Sequence, residues 1–129
     1  MKGAVATALV IALLSQGSAG AGEVIGHSTV SLSGDEIRDV FLGEKQFAGN
    51  LKLVPVDNTM IHAEFLSRVL QTDAQKYSAR WTKKTFREGL APPGRKGSDA
   101  EVVEFVRTTP GAVGYVSRSW PGVKVLEKF

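Results

Sequence analysis

The sequence predicts an α/β fold, a three-layer arrangement in which a mixed sheet is flanked by helices. Three observations predict it. Helical and strand periodicities alternate through the first half of the chain and again at its end, a pattern that calls for a sheet covered by helices. Two capping boxes, Ser33 with Glu36 and Ser98 with Glu101, each open a run with apolar residues at helical spacing. Thr109-Pro110-Gly111 then stops the second run directly before the β-branched stretch Ala112-Val113-Gly114-Tyr115-Val116.

Met1-Lys2 precedes an apolar run from Gly3 to Leu14 and a small, polar segment containing Ala19-Gly20-Ala21. This is the pattern of a secretory signal peptide over residues 1–21, cleaved after Ala21 or Ala19. The apolar run is about a dozen residues, short of the ~20 that span a bilayer. The expected product is one periplasmic or secreted domain over residues 22–129. With no cysteine in the chain, a disulfide framework, a lipid-anchoring cysteine and thiolate chemistry are all excluded, so packing alone must hold the fold.

Along the domain, Glu23 to Val30 reads as a first strand. Ser33 caps a helix whose buried stripe is Ile37, Val40 and Phe41, with Gly43 placed for a left-handed C-cap. Glu44 to Asn50 reads as a loop. Leu51 to Val56 alternates as a strand, and Pro55 puts one end of it near a sheet edge. Asp57, Asn58 or Thr59 then caps a long helix carrying Ile61, Phe65, Leu66, Val69 and Leu70 on one face and ending near Thr72. Asp73 caps the next, with Ala74, Tyr77 and Trp81 inside and Lys76, Arg80, Lys83, Lys84 and Arg87 outside. Glu88 to Gly97, centred on Pro92-Pro93-Gly94, reads as irregular. Ser98 opens the last helix, with Val102, Phe105 and Val106 inward, and Val123 to Leu126 supplies a final strand.

The net charge of +3 is regional. From Lys76 to Lys96 seven cations face Glu88 alone, so the remainder of the chain is acidic. Tyr77, Trp81 and Phe86 interleave with these cations, but Tyr77 and Trp81 share the apolar stripe, which argues for a solvated or docking face and against nucleic acid. Two histidines without carboxylates at ligand spacing are no zinc signature. Neither a glycine-x-serine-x-glycine elbow nor a phosphate loop is present. The reading is a non-catalytic protein without metal or cofactor.

Four stretches carry a family resemblance: Leu32 to Gly43, Val54-Pro55-Val56-Asp57 leading to Phe65, Gly97 to Val103, and Thr109 to Val116. Together they resemble the phosphate ABC-transporter substrate-binding proteins, periplasmic binding proteins of the second structural type, and most closely their short single-lobe relatives. The resemblance implies a single binding lobe that takes phosphate or a related small oxyanion for an ABC transporter, whose membrane subunits would be partners. A single lobe lacks an opposing wall, which makes a second copy of the chain a further candidate partner.

A helix N-terminus offers unpaired amides and the positive end of the dipole, so an oxyanion can sit there without a formal cation. Ser33, Thr59 and Ser98 each place a hydroxyl at such an end, with Asp99 next to Ser98 and His62 in the first turn after Thr59. These five are the candidate ligand-binding residues. Capping alone accounts equally for the hydroxyls. The alternative function is a degenerate lobe that serves as an interaction module for a protein or an anionic surface, without transport.

Overall fold

The computed structural model describes residues 22–129; the leader expected over residues 1–21 lies outside them. The elements follow as β1 (Glu23–Gly26), α1 (Gly34–Phe41), β2 (Phe47–Ala48), β3 (Leu51–Lys52) and β4 (Val54–Asn58). Next come α2 (His62–Phe65), which runs on as a π-helical turn over Leu66–Leu70, then α3 (Ala74–Glu88), β5 (Gly94–Lys96), α4 (Asp99–Thr108), β6 (Ala112–Val116) and β7 (Lys124–Lys128).

Five strands form one sheet in the order β5-β4-β6-β1-β7. β4 is parallel to both β5 and β6, while β1 is antiparallel to its neighbours β6 and β7. The first strand therefore lies between the last two. Gly22 and Phe129 extend that pairing, each donating its amide to the other's carbonyl at 2.9 Å.

Strand alternation sends side chains to two separate cores, which makes the three layers. Val24, Val113 and Tyr115 meet α1, α2 and α3 on one face; Ile25, Val56, Ala112 and Val116 meet Val102, Val103 and Val106 of α4 on the other. On the first face Phe65 stacks on Tyr115 with ring centroids 3.7 Å apart, and Phe41 packs edge-on against both. Trp81 of α3 ties α1 down by donating its indole N–H to the Phe41 carbonyl at 3.0 Å. On the second face α4 approaches β6 so closely that a Cβ at Gly114 would lie 2.6 Å from Val102 Cγ1. Gly111 has φ +82°, and a Cβ there would collide with the Lys52 carbonyl oxygen.

Both capped helices form where expected, Ser33 with Glu36 as a full capping box and Ser98 as a side-chain cap whose Glu101 bonds the Gly97 amide instead, and Gly43 is left-handed at φ +76°. The first strand ends at Gly26 rather than Val30, because the chain turns there: Val30 donates its amide back to the His27 carbonyl. The expected loop from Glu44 to Asn50 contains β2, which pairs with β3 as a small separate hairpin. Pro55 sits within β4, at the end that β5 does not reach, so its missing N–H removes no ladder bond to β5. Ala74 is exposed, leaving Tyr77 and Trp81 as the buried residues of α3. The segment read as irregular holds β5, whose three residues pair with Val56, Asp57 and Asn58.

Candidate functional site

At the end of β4 two consecutive polar residues are buried, and alternation points them to opposite faces of the sheet. Asp57 is 4% exposed and faces α3; Asn58 is wholly buried and faces α4. Each is held by a different set of partners.

The Asp57 carboxylate accepts from the Tyr77 hydroxyl, at 3.0 Å to Oδ2 and 3.2 Å to Oδ1, and from the Tyr115 hydroxyl at 2.9 Å. His62 Nδ1 lies 2.8 Å from the Tyr115 oxygen and 3.9 Å from Asp57 Oδ1. With the Tyr115 proton given to Asp57, the hydrogen between His62 and Tyr115 belongs to Nδ1. Burial pushes the Asp57 carboxyl above its ordinary value; His62, the two hydroxyls and Arg95 pull the other way without cancelling it. Burial and the neighbouring carboxylate raise both tyrosine hydroxyls well above the ordinary phenol range.

Beside this cluster a hollow of about 500 Å³ opens between α3 and the ends of β4 and β5. Asp57 and Tyr77 lie at its back, Arg95 supplies guanidinium donors, His62 lines it with its ring, and Ser78 of α3 supplies a hydroxyl, while the Thr82 hydroxyl donates to the Ser78 carbonyl at 3.0 Å. Chemically it is a polar recess with cationic and hydroxyl donors, backed by a carboxylate whose oxygens are occupied by tyrosine protons.

On the opposite face Asn58 donates to Asp99 Oδ1 at 2.9 Å and to the Tyr115 carbonyl at 3.0 Å, while its own oxygen accepts from the Met60 amide. Asp99 also accepts from the Ser117 amide at 3.0 Å, the Ser117 hydroxyl at 2.7 Å and the Trp120 indole at 3.1 Å. Burial pushes this carboxyl up, but the bonds from Ser117, Trp120 and Asn58 outweigh it and leave the group below its ordinary value.

The structure brings Thr59, Ser98 and Asp99 to one edge, where the Thr59 amide donates to the Lys96 carbonyl at 2.9 Å. His62 is at the same strand ends but on the α3 face. Ser33 stands apart, at the β7 end of the sheet, where the adjacent Gly34 lies against Glu127. Ser33 caps α1 by accepting from the Glu36 amide, and Ser98 caps α4 by accepting from the Glu101 amide. Glu36 answers Ser33, and Glu101 reaches back to the Gly97 amide, so acidic side chains flank both ends. The N-cap of α2 is Ile61, with no side chain on the helix amides. Asp57, Asn58 and Thr59 therefore do not cap it, because the first two still belong to β4 and are drawn to the two sheet faces.

Sequence reasoning finds Tyr77, Tyr115 and Arg95 only as core or surface residues and misses their part in this site. The usable signal was parity: Asp57 follows Val56 in an alternating strand, so one of the two had to face a core. Among the described residues no group of histidines and carboxylates is placed to hold a metal, and no helix is long and apolar enough to cross a membrane.

No family model matches the chain, and no curated protein matches it. Among solved structures it is similar to the crystal structure of an ABC-type phosphate transport receptor from Vibrio cholerae, at 15% identity and a TM-score of 0.53. The match covers 84% of this chain and 46% of the receptor, so the chain spans less than half the receptor's length. What the two share is the fold: a mixed sheet between helix layers.

Proposed function

We propose that this domain is a solute-binding lobe that takes phosphate or a related small oxyanion at the ends of β4 and β5, as the exported binding component of an ABC transporter. The observation that carries the reading is the hollow in which His62 and Arg95 stand together with the Ser78 hydroxyl. A guanidinium, an imidazole and a short hydroxyl around one recess suit a compact multivalent oxyanion. Asp57 would oppose an anion if it were bare, but two tyrosine hydroxyls donate into it. Thr59 and the side-chain-uncapped start of α2 extend the donor set along the same edge. Ser33, Ser98 and Asp99 enter this reading as frame, since their oxygens already serve caps or the Asn58 network.

The likeness to a phosphate receptor supports the same ligand class and transporter membrane subunits as partners. The hollow opens to solvent, and in this reading a second copy of the chain supplies the facing wall.

Calorimetry and thermal shift on the exported protein provide the test. Millimolar phosphate, sulfate, molybdate or tungstate should give saturable heat and raise the melting temperature, and Arg95→Gln should abolish both. Absence of any response to all four anions overturns the reading. Ser98→Ala should lower stability by ~1 kcal/mol whether or not anion is present, as loss of a cap does, whereas Thr59→Ala should weaken the anion response. Light scattering with and without the anion then decides whether a second copy closes the site.

A further inference from the structure

The sequence-level charge imbalance takes a definite shape on α3. Lys76, Arg80, Lys83 and Arg87 follow one another at spacings of four, three and four residues, so on this 15-residue helix they form a single row about 16 Å long. All four are exposed. The fifth cation, Lys84, is turned inward, its side chain 14% exposed between Glu44 and Glu88. Arg80 shares Glu44 with it. Lys76, Lys83 and Arg87 take part in no ion pair among the described residues. The acids on α3 or paired with it are Glu44 and Glu88, both bonded to lysine or arginine, and Asp73 at the N-cap, which accepts from the Lys76 amide.

Beside the row stands Phe86, 91% exposed. It is not a core residue misplaced by a frayed helix, because Tyr77 and Trp81 already bury the apolar face and Gly89 closes the helix in the left-handed conformation. The outer face of α3 thus combines a straight cationic row with one projecting aromatic ring.

We propose that this face docks the protein on an anionic phospholipid surface. A bilayer needs cations on an outward face and an aromatic anchor at the headgroup level, and it demands no shape complementarity. A protein partner needs about 800 Å² of fitted surface with an apolar centre, and here a single ring provides the apolar part. A single-stranded nucleic acid would stack on several aromatic platforms along a groove, and here one ring projects. A duplex would be held through its phosphates by the cations alone and would leave that ring unused.

Co-sedimentation of the full chain with vesicles of phosphatidylglycerol in phosphatidylcholine, and with phosphatidylcholine alone, tests the proposal. Binding should require the anionic lipid and fall with added salt. The double variant Lys83→Gln, Arg87→Gln should bind roughly 25-fold more weakly, at about fivefold per cation, and Phe86→Ser should weaken binding without altering its salt dependence. The compared chains are identical outside the substituted positions, so any contribution from residues 1–21 is common to all. Unchanged melting curves confirm that the exposed substitutions leave the fold intact. Equal binding to neutral vesicles, wild-type binding by the double variant, or tighter binding to a duplex oligonucleotide than to the anionic vesicles would overturn the proposal.

Discussion

Asp57 and Asp99 are both carboxylates with 4% exposure, both are bound to the end of β4, and they behave in opposite ways. Asp57 meets two hydroxyls and stays above its ordinary pKa; Asp99 meets a hydroxyl, a backbone amide, an indole and a carboxamide and falls below it. Burial acts on both in the same direction. Asp57 lies deeper and meets fewer donors, whereas Asp99 lies nearer the surface and meets more, so depth and donors together decide on which side of the ordinary value each carboxyl falls. Asp99 is a charged keystone linking β4, α4 and the segment after β6. Asp57 is poised beside an open recess, with its charge only partly compensated.

The largest expected effect comes from removing the keystone. Asp99→Ala leaves the Asn58 carboxamide, the Ser117 amide and the Trp120 indole without their acceptor, and should cost about 3 kcal/mol in denaturant unfolding. Asp57→Asn keeps an acceptor for one tyrosine and removes a poorly compensated charge, so near neutral pH it should change stability by less than about 1 kcal/mol. Equal losses for the two variants would break the comparison.

Acid titration sharpens it. The lowered pKa of Asp99 contributes stability that is present above the unfolded carboxylate value, about 4, and is lost as pH falls through the folded value. The raised pKa of Asp57 has the reverse sign. Its contribution is most favourable where the group is protonated, declines as pH rises from the unfolded value to the raised folded one, and is level above that. Urea midpoints measured from pH 3 upward should therefore lose their acid limb in Asp99→Asn and their decline on rising pH in Asp57→Asn. If neither slope changes, the two environments differ less than their bonding implies.

The smallest effect on the pH limbs is expected at a position outside both clusters. Ser33→Ala removes the acceptor for the Glu36 amide and should cost ~1 kcal/mol, touching the acid limb only through Glu36, whose carboxyl Ser33 holds below its ordinary value, and leaving the decline on rising pH unchanged. A change in that decline would tie α1 to Asp57 through contacts the structure does not show.

Much of the frame was legible because its signals are local. Ser33 with Glu36, and Ser98 with Glu101, are read within four residues of chain; Ile37, Val40 and Phe41, like Val102 and Val106, fall inward at the spacing a helix dictates. β5 was illegible since Gly94-Arg95-Lys96 has no apolar or β-branched pattern and is extended only by pairing with β4. The π-helical turn after Phe65 and the left-handed Gln71 that ends it likewise depend on packing. The site was the least legible part. Asp57 receives protons from residues 20 and 58 positions away, and a sequence pattern carries no record of which hydroxyl will arrive at which carboxylate. Helix starts suggested Ser33 and Ser98, whereas the recess is built from strand ends and the inner flank of α3.

The position of β1 bears on the order of events during synthesis. β1 is the earliest of the described strands and has no partner in the sheet until β6 and β7 exist, since it pairs Glu23 with Val116 on one side and with Lys128 on the other. For most of translation the nascent chain carries an unpaired apolar strand, and closure of the sheet waits for contacts spanning nearly the whole domain. Such non-local closure is slow, so a truncation that removes Lys124–Lys128 should leave β1 as a bare edge in an unfinished sheet, open to pairing with another chain.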